Sequence, residues 1–258
     1  MKERAILLDD DAKDFLDNLE MKKVLKATKK IIGRKLDILG MDACLMNMAE
    51  VGYQVKDSVL YTVGSEETEP LDGWPYDKIL SALYQQSDML PTDLSKLIVR
   101  HYIDSYKGSG EAVTQSALDM SVSPVLASAV KSLVAALKAG LKNSTTRIAI
   151  ADARNRVQEY DIPDNIDLVD LCQLLKESSI PVTMKSACDQ VIAAIQGNSG
   201  FVISSGYYGA PMRRSNGVAI YFPTRIVSPL YSRLDFVKKT GWGTFLKAYI
   251  NATRSRKG

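Results

Sequence analysis

The sequence predicts an α/β fold: a mainly parallel sheet with helices on both faces, followed by a largely helical C-terminal part. Three observations predict it. Short apolar runs alternate with helix-period stripes from Met1 to Met120, and that alternation calls for crossover connections of the kind that join parallel strands. From Pro124 to Ile195 the apolar residues keep mostly the helical period. Two apolar runs, Phe201 to Tyr207 and Gly217 to Phe222, then return, placed to rejoin the first sheet.

Each element has its own signal. Ala5 to Leu8 reads as a short buried strand running into Asp9, Asp10 and Asp11. Asn18 is a candidate cap for a helix whose stripe is Leu19, Val24, Leu25, Thr28, Ile31 and Ile32, with Gly33 as its stop. Lys35 to Gly40 reads as a strand, and Leu45, Met48, Ala49, Gly52 and Val55 follow at helical spacing, which puts Cys44 at a strand-to-helix junction. Val59 to Val63 is a further strand, ending at Gly64-Ser65-Glu66-Glu67 and the turn-rich Pro70 to Pro75. Helices are expected over Tyr76 to Gln86 and Pro91 to Tyr106, and a strand over Ala112 to Met120. Three stripes follow: Leu126, Val130, Leu133, Leu137 and Leu141; then Leu168, Leu171, Cys172 and Leu175; then Val191, Ile192 and Ile195. A last helix runs from Trp242 to Ile250. A soft boundary falls near residue 122, separating an α/β portion, 1–122, from a mainly helical portion, 123–258.

Composition narrows the function classes. The chain has 258 residues, a net charge of +3, 46% hydrophobic and 24% charged residues, which are ordinary globular values. Its charges are spread out apart from the tail Arg254 to Lys257, so no basic face for nucleic acid is expected. Lys131 and Lys138 interrupt the longest apolar helix, Val125 to Leu141, so no bilayer span is expected either. The N-terminal segment lacks the basic start, apolar stretch and small-residue site of a signal peptide.

Three cysteines with no CxxC spacing argue against a disulfide scaffold and a structural zinc site. Cys172 and Cys188 lie on apolar helix faces and read as core fillers. Cys44 is different, because a thiol at a strand end beside a helix N-terminus gains from backbone amides that favour an anion and hold an oxyanion. A small buried cysteine would give the same local pattern. The lone histidine, His101, sits within a helical run and does not read as a base. The acidic opening puts Lys13 and Asp14 where an EF-hand loop needs an oxygen ligand and a glycine, so it reads as a solvated turn.

The segment Leu36 to Glu50, an apolar strand leading into Asp42-Ala43-Cys44-Leu45-Met46, resembles the nucleophile segment of the clostripain-like cysteine peptidases. Ser65-Glu66-Glu67 with Gly73-Trp74-Pro75-Tyr76, Ile166 to Leu171, Asn216 to Pro223 and Trp242 match further blocks in family order. The resemblance implies a caspase-like α/β fold and peptide-bond hydrolysis by a cysteine-histidine dyad, with Cys44 as nucleophile. It implies cleavage after arginine or lysine, with Asp42 in the specificity pocket and Asp72 as a second acid, alongside substrate contacts from Ser65 and Glu66. Asp42 could instead orient the turn before Cys44. No cofactor is implied beyond the calcium known in relatives, and the partners implied are peptides or proteins bearing Arg or Lys. Relatives are often secreted or displayed at the cell surface.

One departure from the family stands out: its histidine precedes the nucleophile strand in a His-Gly dipeptide, and no histidine precedes Cys44 here. The chain is therefore expected to begin downstream of that histidine, to be weakly active or inactive alone, and to have its own N-terminal fragment as a partner. Lys13, Lys22, Lys23, Lys26, Lys29 and Lys30 fall where such enzymes are cleaved during activation. The alternative is a non-catalytic relative acting as a binding or assembly protein. A thiol redox role is disfavoured, since no resolving cysteine lies near Cys44.

Overall fold

In the computed structural model, which describes residues 7–9 and 14–254, strands β1 (Leu7–Asp9) and β2 (Asp14–Leu16) pair antiparallel and lead into helix α1 (Asn18–Ile32). The acidic run from Asp10 to Lys13 and the tail from Ser255 lie outside the described residues. Asp17, not Asn18, caps α1: its carboxylate accepts the N–H groups of Leu19 and Glu20 at 2.7 and 2.8 Å, and Glu20 accepts the Asp17 N–H at 3.0 Å. This reciprocal box satisfies backbone donors that the first helical turn leaves unpaired. Gly33 ends the helix at φ 73°, as expected of a stop glycine.

The chain continues through β3 (Leu36–Gly40), α2 (Ala49–Val55), β4 (Val59–Gly64), α3 (Tyr76–Gln85), α4 (Pro91–Ser105) and β5 (Val113–Asp119). The remaining elements are α5 (Ser123–Gly140), α6 (Ser144–Arg156), β6 (Asn165–Asp167), α7 (Leu168–Glu177), α8 (Val182–Gln196), β7 (Val202–Tyr208), β8 (Ala219–Tyr221), α9 (Asp235–Thr240) and α10 (Trp242–Arg254). The α/β class and the helices on both faces stand as expected.

Strand direction needs a correction. The central sheet has the order β3-β4-β5-β7, with β3 and β4 parallel but β5 antiparallel to both β4 and β7. It is a mixed sheet rather than a mainly parallel one. A single crossover helix returns the chain to the end from which the strand began, whereas the two helices α3 and α4 return it to the opposite end, so β5 must run backwards. Of the two late strands, β7 rejoins this sheet while β8 pairs with β6 in a small sheet of its own.

The two faces of the sheet carry separate apolar clusters. On one, Val63, Val113 and Ala117 meet Ile98, Val99 and Tyr102 of α4. On the other, Leu118 and Met120 join α2, α5, α7, α8 and α10. Helix α5 is the centre of that larger core, with Leu126, Val130, Leu133 and Leu137 almost fully buried. By length and composition this stretch could cross a membrane, yet here it packs against α8, α9 and α10. Each leucine buried there contributes about 1.5–3 kcal/mol of apolar transfer.

The small sheet is pinned to the core by two buried polar contacts. Trp242 Nε1 donates to Tyr221 O at 2.7 Å, and Arg154, itself only 2% exposed, donates to Phe222 O at 2.7 Å while pairing with Glu159 at 2.6 Å. These contacts fix β8 beside the loop that follows β3. Among the described residues β3 is one edge of the sheet and β7 the other, and the β3 residues from Leu36 to Leu39 are only half-buried.

Candidate active site

The loop between Gly40 and Ala49 is held by neighbours in space rather than by helical bonds. Met41 N–H donates to Val63 O at 2.9 Å, Leu45 N–H to Glu67 O at 3.1 Å and Asn47 N–H to Ser65 O at 2.9 Å. Asn47 then accepts the Ala219 N–H at 2.9 Å, and its side-chain amide donates to Gly64 O and Ser116 O at 2.9 and 2.8 Å. With its backbone groups committed this way the segment cannot turn helical at Leu45, and α2 starts only at Ala49. Cys44 therefore lies in a turn, five residues ahead of the helix that the apolar spacing extended to meet it. The amide support expected from a helix N-terminus has to come from the loop itself.

That loop exposes the thiol. Cys44 is exposed, and its Sγ accepts the Glu69 N–H at 3.4 Å and lies 3.9 Å from Glu69 O. Among the described residues the Cys44 N–H donates to no acceptor. Leu45, next along the chain, has φ 62°, the left-handed region that costs a non-glycine residue roughly 1–2 kcal/mol. The bonds of Leu45, Asn47 and Met41 hold that turn in place.

A wall of acids stands beside the thiol. Asp42 Oδ2 accepts the Trp74 N–H at 3.2 Å and the Tyr76 hydroxyl at 2.9 Å. Gly73 makes this possible: it adopts φ 61°, and a Cβ there would lie 2.9 Å from Asp42 Oδ2. Asp72 is exposed in the same turn, whose Gly73 carbonyl accepts the Tyr106 hydroxyl at 2.9 Å. Behind them Glu69 Oε2 accepts Trp74 Nε1–H at 2.9 Å. Burial, with the adjoining Asp42 carboxylate, pushes Glu69 up to about 10, so it keeps its proton at neutral pH. Burial and Asp42 likewise push Tyr76 up to about 12. The pattern of the sequence did not single out Glu69; an acid placed ahead of a Pro-Leu-Asp-Gly turn was the only signal.

Ser65 and Glu66 lie beneath the loop with their side chains turned to internal partners. Their side chains are 0% and 1% exposed, behind the loop rather than at its surface. Ser65 Oγ pairs with Thr114 Oγ1 at 2.9 Å and accepts the Glu67 N–H at 3.0 Å. Glu66 Oε1 accepts the Gly217 N–H at 2.7 Å and the Tyr160 hydroxyl at 3.3 Å. Asp167 shares that hydroxyl at 3.2 Å and accepts the N–H groups of Asn216 and Asp170 at 2.6 and 2.7 Å. Burial, above all, pushes Glu66 and Asp167 each up to about 7, helped by the Asp167 carboxylate for Glu66 and by the Asp170 carboxylate for Asp167. These residues brace the loops from beneath, because a strand end surrounded by three backbone segments must satisfy its polar groups internally.

The other candidates lie elsewhere. Cys172 and Cys188 are fully buried on α7 and α8 and face one another, and that contact together with burial pushes the Cys172 thiol up. His101 is half-buried on α4, where its charged neighbour is Asp104. Cys44 lines neither of two surface clefts: one of about 510 Å³ between α1 and the turn before α9, the other of about 520 Å³ beside Arg213 and Arg214. Among the described residues no group of three or more His, Cys, Asp or Glu side chains is gathered as a metal would require. The arrangement offers an exposed sulfur nucleophile, an undirected backbone N–H at the same residue and carboxyl groups suited to a cation.

The sequence pattern of the clostripain family matches residues 1–249. A cysteine protease of B. fragilis has the same fold, with a TM-score of 0.61 at 18% identity, over 92% of this chain and 98% of that one. A clostripain from Bacteroides thetaiotaomicron, solved with the peptide inhibitor BTN-VLTK-AOMK, gives 0.68 at 16% identity, over 91% and 98%. A secreted C11 cysteine protease from the same species, solved with an irreversible peptide inhibitor, gives 0.64 at 18% identity, over 89% of this chain and 64% of that one. No curated protein sequence matches the chain.

Proposed function

The chain belongs to the clostripain family of cysteine proteases, and from that premise we propose that it is the nucleophile-bearing part of an endopeptidase that cleaves after arginine or lysine. The observation that carries this reading is the exposed Cys44 thiol in a strained, externally braced turn, two residues from the Asp42 carboxylate. In the reaction the thiolate attacks the scissile carbonyl carbon and the oxyanion takes the Cys44 N–H. The C–N bond breaks as a histidine protonates the departing amine, and water then hydrolyses the thioester and returns the thiol.

Asp42 is the residue proposed to meet the substrate cation, with Asp72 at the rim. A carboxylate facing guanidinium forms two parallel charge-assisted hydrogen bonds, so the preference has a physical basis. The inhibitor carried by one similar structure, VLTK before its AOMK group, supports a basic residue at this position. The histidine is proposed to come from another segment, docking along the half-buried edge of β3, because the chain's sole histidine lies beside Asp104 on α4. That same fact favours a second reading, a binding or assembly protein that keeps the fold without turnover. The secreted relative supports action outside the cell.

Two measurements test the proposal. An acyloxymethyl ketone ending in arginine is expected to label Cys44 once a His-Gly segment is supplied, and Cys44→Ala is expected to abolish both labelling and cleavage of arginine peptides. Cleavage that persists in Cys44→Ala would remove the nucleophile assignment. Strong activity of the 258-residue chain alone would place the base elsewhere, and no activity with the segment supplied would favour the binding protein.

A further inference from the structure

The acid wall contains more carboxyl capacity than one substrate contact uses. Glu69 Oε2 is satisfied by Trp74, and the same carboxyl group meets Asp42 on one side and the Gln115 amide on the other. Two carboxyl groups in hydrogen-bonding contact hold one proton between them until a cation arrives to take its place. The fully buried Tyr102 hydroxyl close by has no hydrogen-bond partner.

Resting on the reading of Asp42 as a specificity carboxylate, we propose that Glu69 is a second specificity-determining residue, neutral in the empty site, which gives up its proton when a substrate arginine or lysine enters beside Asp42. The chemistry balances without a further reactant: Glu69–COOH and a bound guanidinium or ammonium become a carboxylate–cation pair, and one proton leaves to solvent. The empty site favours the neutral form because Glu69 is largely buried and because the titratable groups that face it are acidic. Asp42 adjoins it directly, Tyr76, Tyr102 and Tyr106 feel its charge, and Cys44 and Asp72 act on the same tyrosines. A cation reverses that balance, since an opposite charge within a few ångströms favours ionisation. Five guanidinium donors also suit two carboxylates better than one. The Glu69 N–H that donates to Cys44 Sγ ties this second acid to the nucleophile, so cation binding and thiol placement share one residue.

The test is calorimetric titration of the Cys44→Ala chain with an acetylated peptide amide ending in arginine, and with its citrulline counterpart, in buffers of different ionisation enthalpy near neutral pH. About one proton is expected to be released per arginine peptide bound and none with citrulline. Glu69→Gln keeps an acceptor for Trp74; it is expected to bind the arginine peptide roughly tenfold more weakly and to release no proton. Arginine binding without proton release in the parent chain would overturn the proposal whatever the variant does, as would release that persists in Glu69→Gln. Failure of the underlying reading looks different: arginine and citrulline peptides would bind equally well, or neither would bind, and both claims would then fall together.

Discussion

The backbone N–H of Glu69 points at the sulfur of Cys44 across 3.4 Å, joining the loop after β4 to the loop after β3 at the reactive atom. The same two loops are joined again by Leu45 N–H and Glu67 O at 3.1 Å. The thiol is therefore placed by a neighbouring loop and not by its own helix. Substitutions in that neighbouring loop are expected to alter reactivity without touching sulfur.

Asp42→Asn removes the charge that a basic side chain would meet while keeping an acceptor for Trp74 and Tyr76. Discrimination between arginine and citrulline peptides is expected to fall by about 2 kcal/mol, roughly thirtyfold in kcat/KM. Asp72→Asn is expected to cost under about 1 kcal/mol: both carboxylates are exposed, but Asp42 is held in place by Trp74 and Tyr76, whereas among the described residues no such bond holds Asp72. Steady-state kinetics on the histidine-supplied form measures both ratios. An arginine preference untouched by Asp42→Asn would move the pocket's charge to another residue.

Gly73→Ala tests the turn that seats Asp42. The added methyl would stand 2.9 Å from Asp42 Oδ2 at a backbone φ of 61°, so the carboxyl group must move or the turn must open. A stability loss of about 1 kcal/mol is expected from the backbone alone. Weaker binding of arginine peptides should accompany it, and urea unfolding with peptide titration separates the two effects. Unchanged binding would mean that Asp42 does not need its seat.

Glu66 and Asp167 make stability depend on pH with a definite sign. Both are raised to about 7 from ordinary values of 4.5 and 3.8, so the folded state holds protons that the unfolded chain has already released. Their contribution is fully present below the ordinary carboxyl range and is lost as pH rises through about 7. Glu66→Gln is expected to flatten the decline in unfolding free energy between about pH 4 and pH 8 by roughly 1–3 kcal/mol. Denaturant unfolding across that range checks it, and an equally steep decline in the variant would show that the pair does not titrate there.

Much of the fold was legible because it rests on local periodicity. The apolar spacing located β3, β4, β5, β7 and the helices α3, α4, α5, α7 and α10 to within a few residues. Helix α9 and strand β6 were missed: six and three residues are too short for a period to show. The start of α2 was misplaced because Leu45 and Met48 fit a helical stripe, while nothing local reveals that Asn47 bonds Ala219, 172 positions away along the printed sequence. The substrate contacts expected of Ser65 and Glu66 came from the family resemblance, which carries residue types and order but no burial. Here the loops from Tyr160 and Gly217 close over them.

By itself the sequence determined the family, the α/β class and the identity of the candidate nucleophile, since these follow from residue order and from short-range pattern. Only the tertiary structure decided that β5 runs backwards, that the thiol stands exposed in a turn, and that Glu69 rather than Ser65 or Glu66 lies beside it. Those outcomes depend on which backbone groups and carboxyls meet after the chain has folded, and burial and charge act through distance in space, not through separation along the chain.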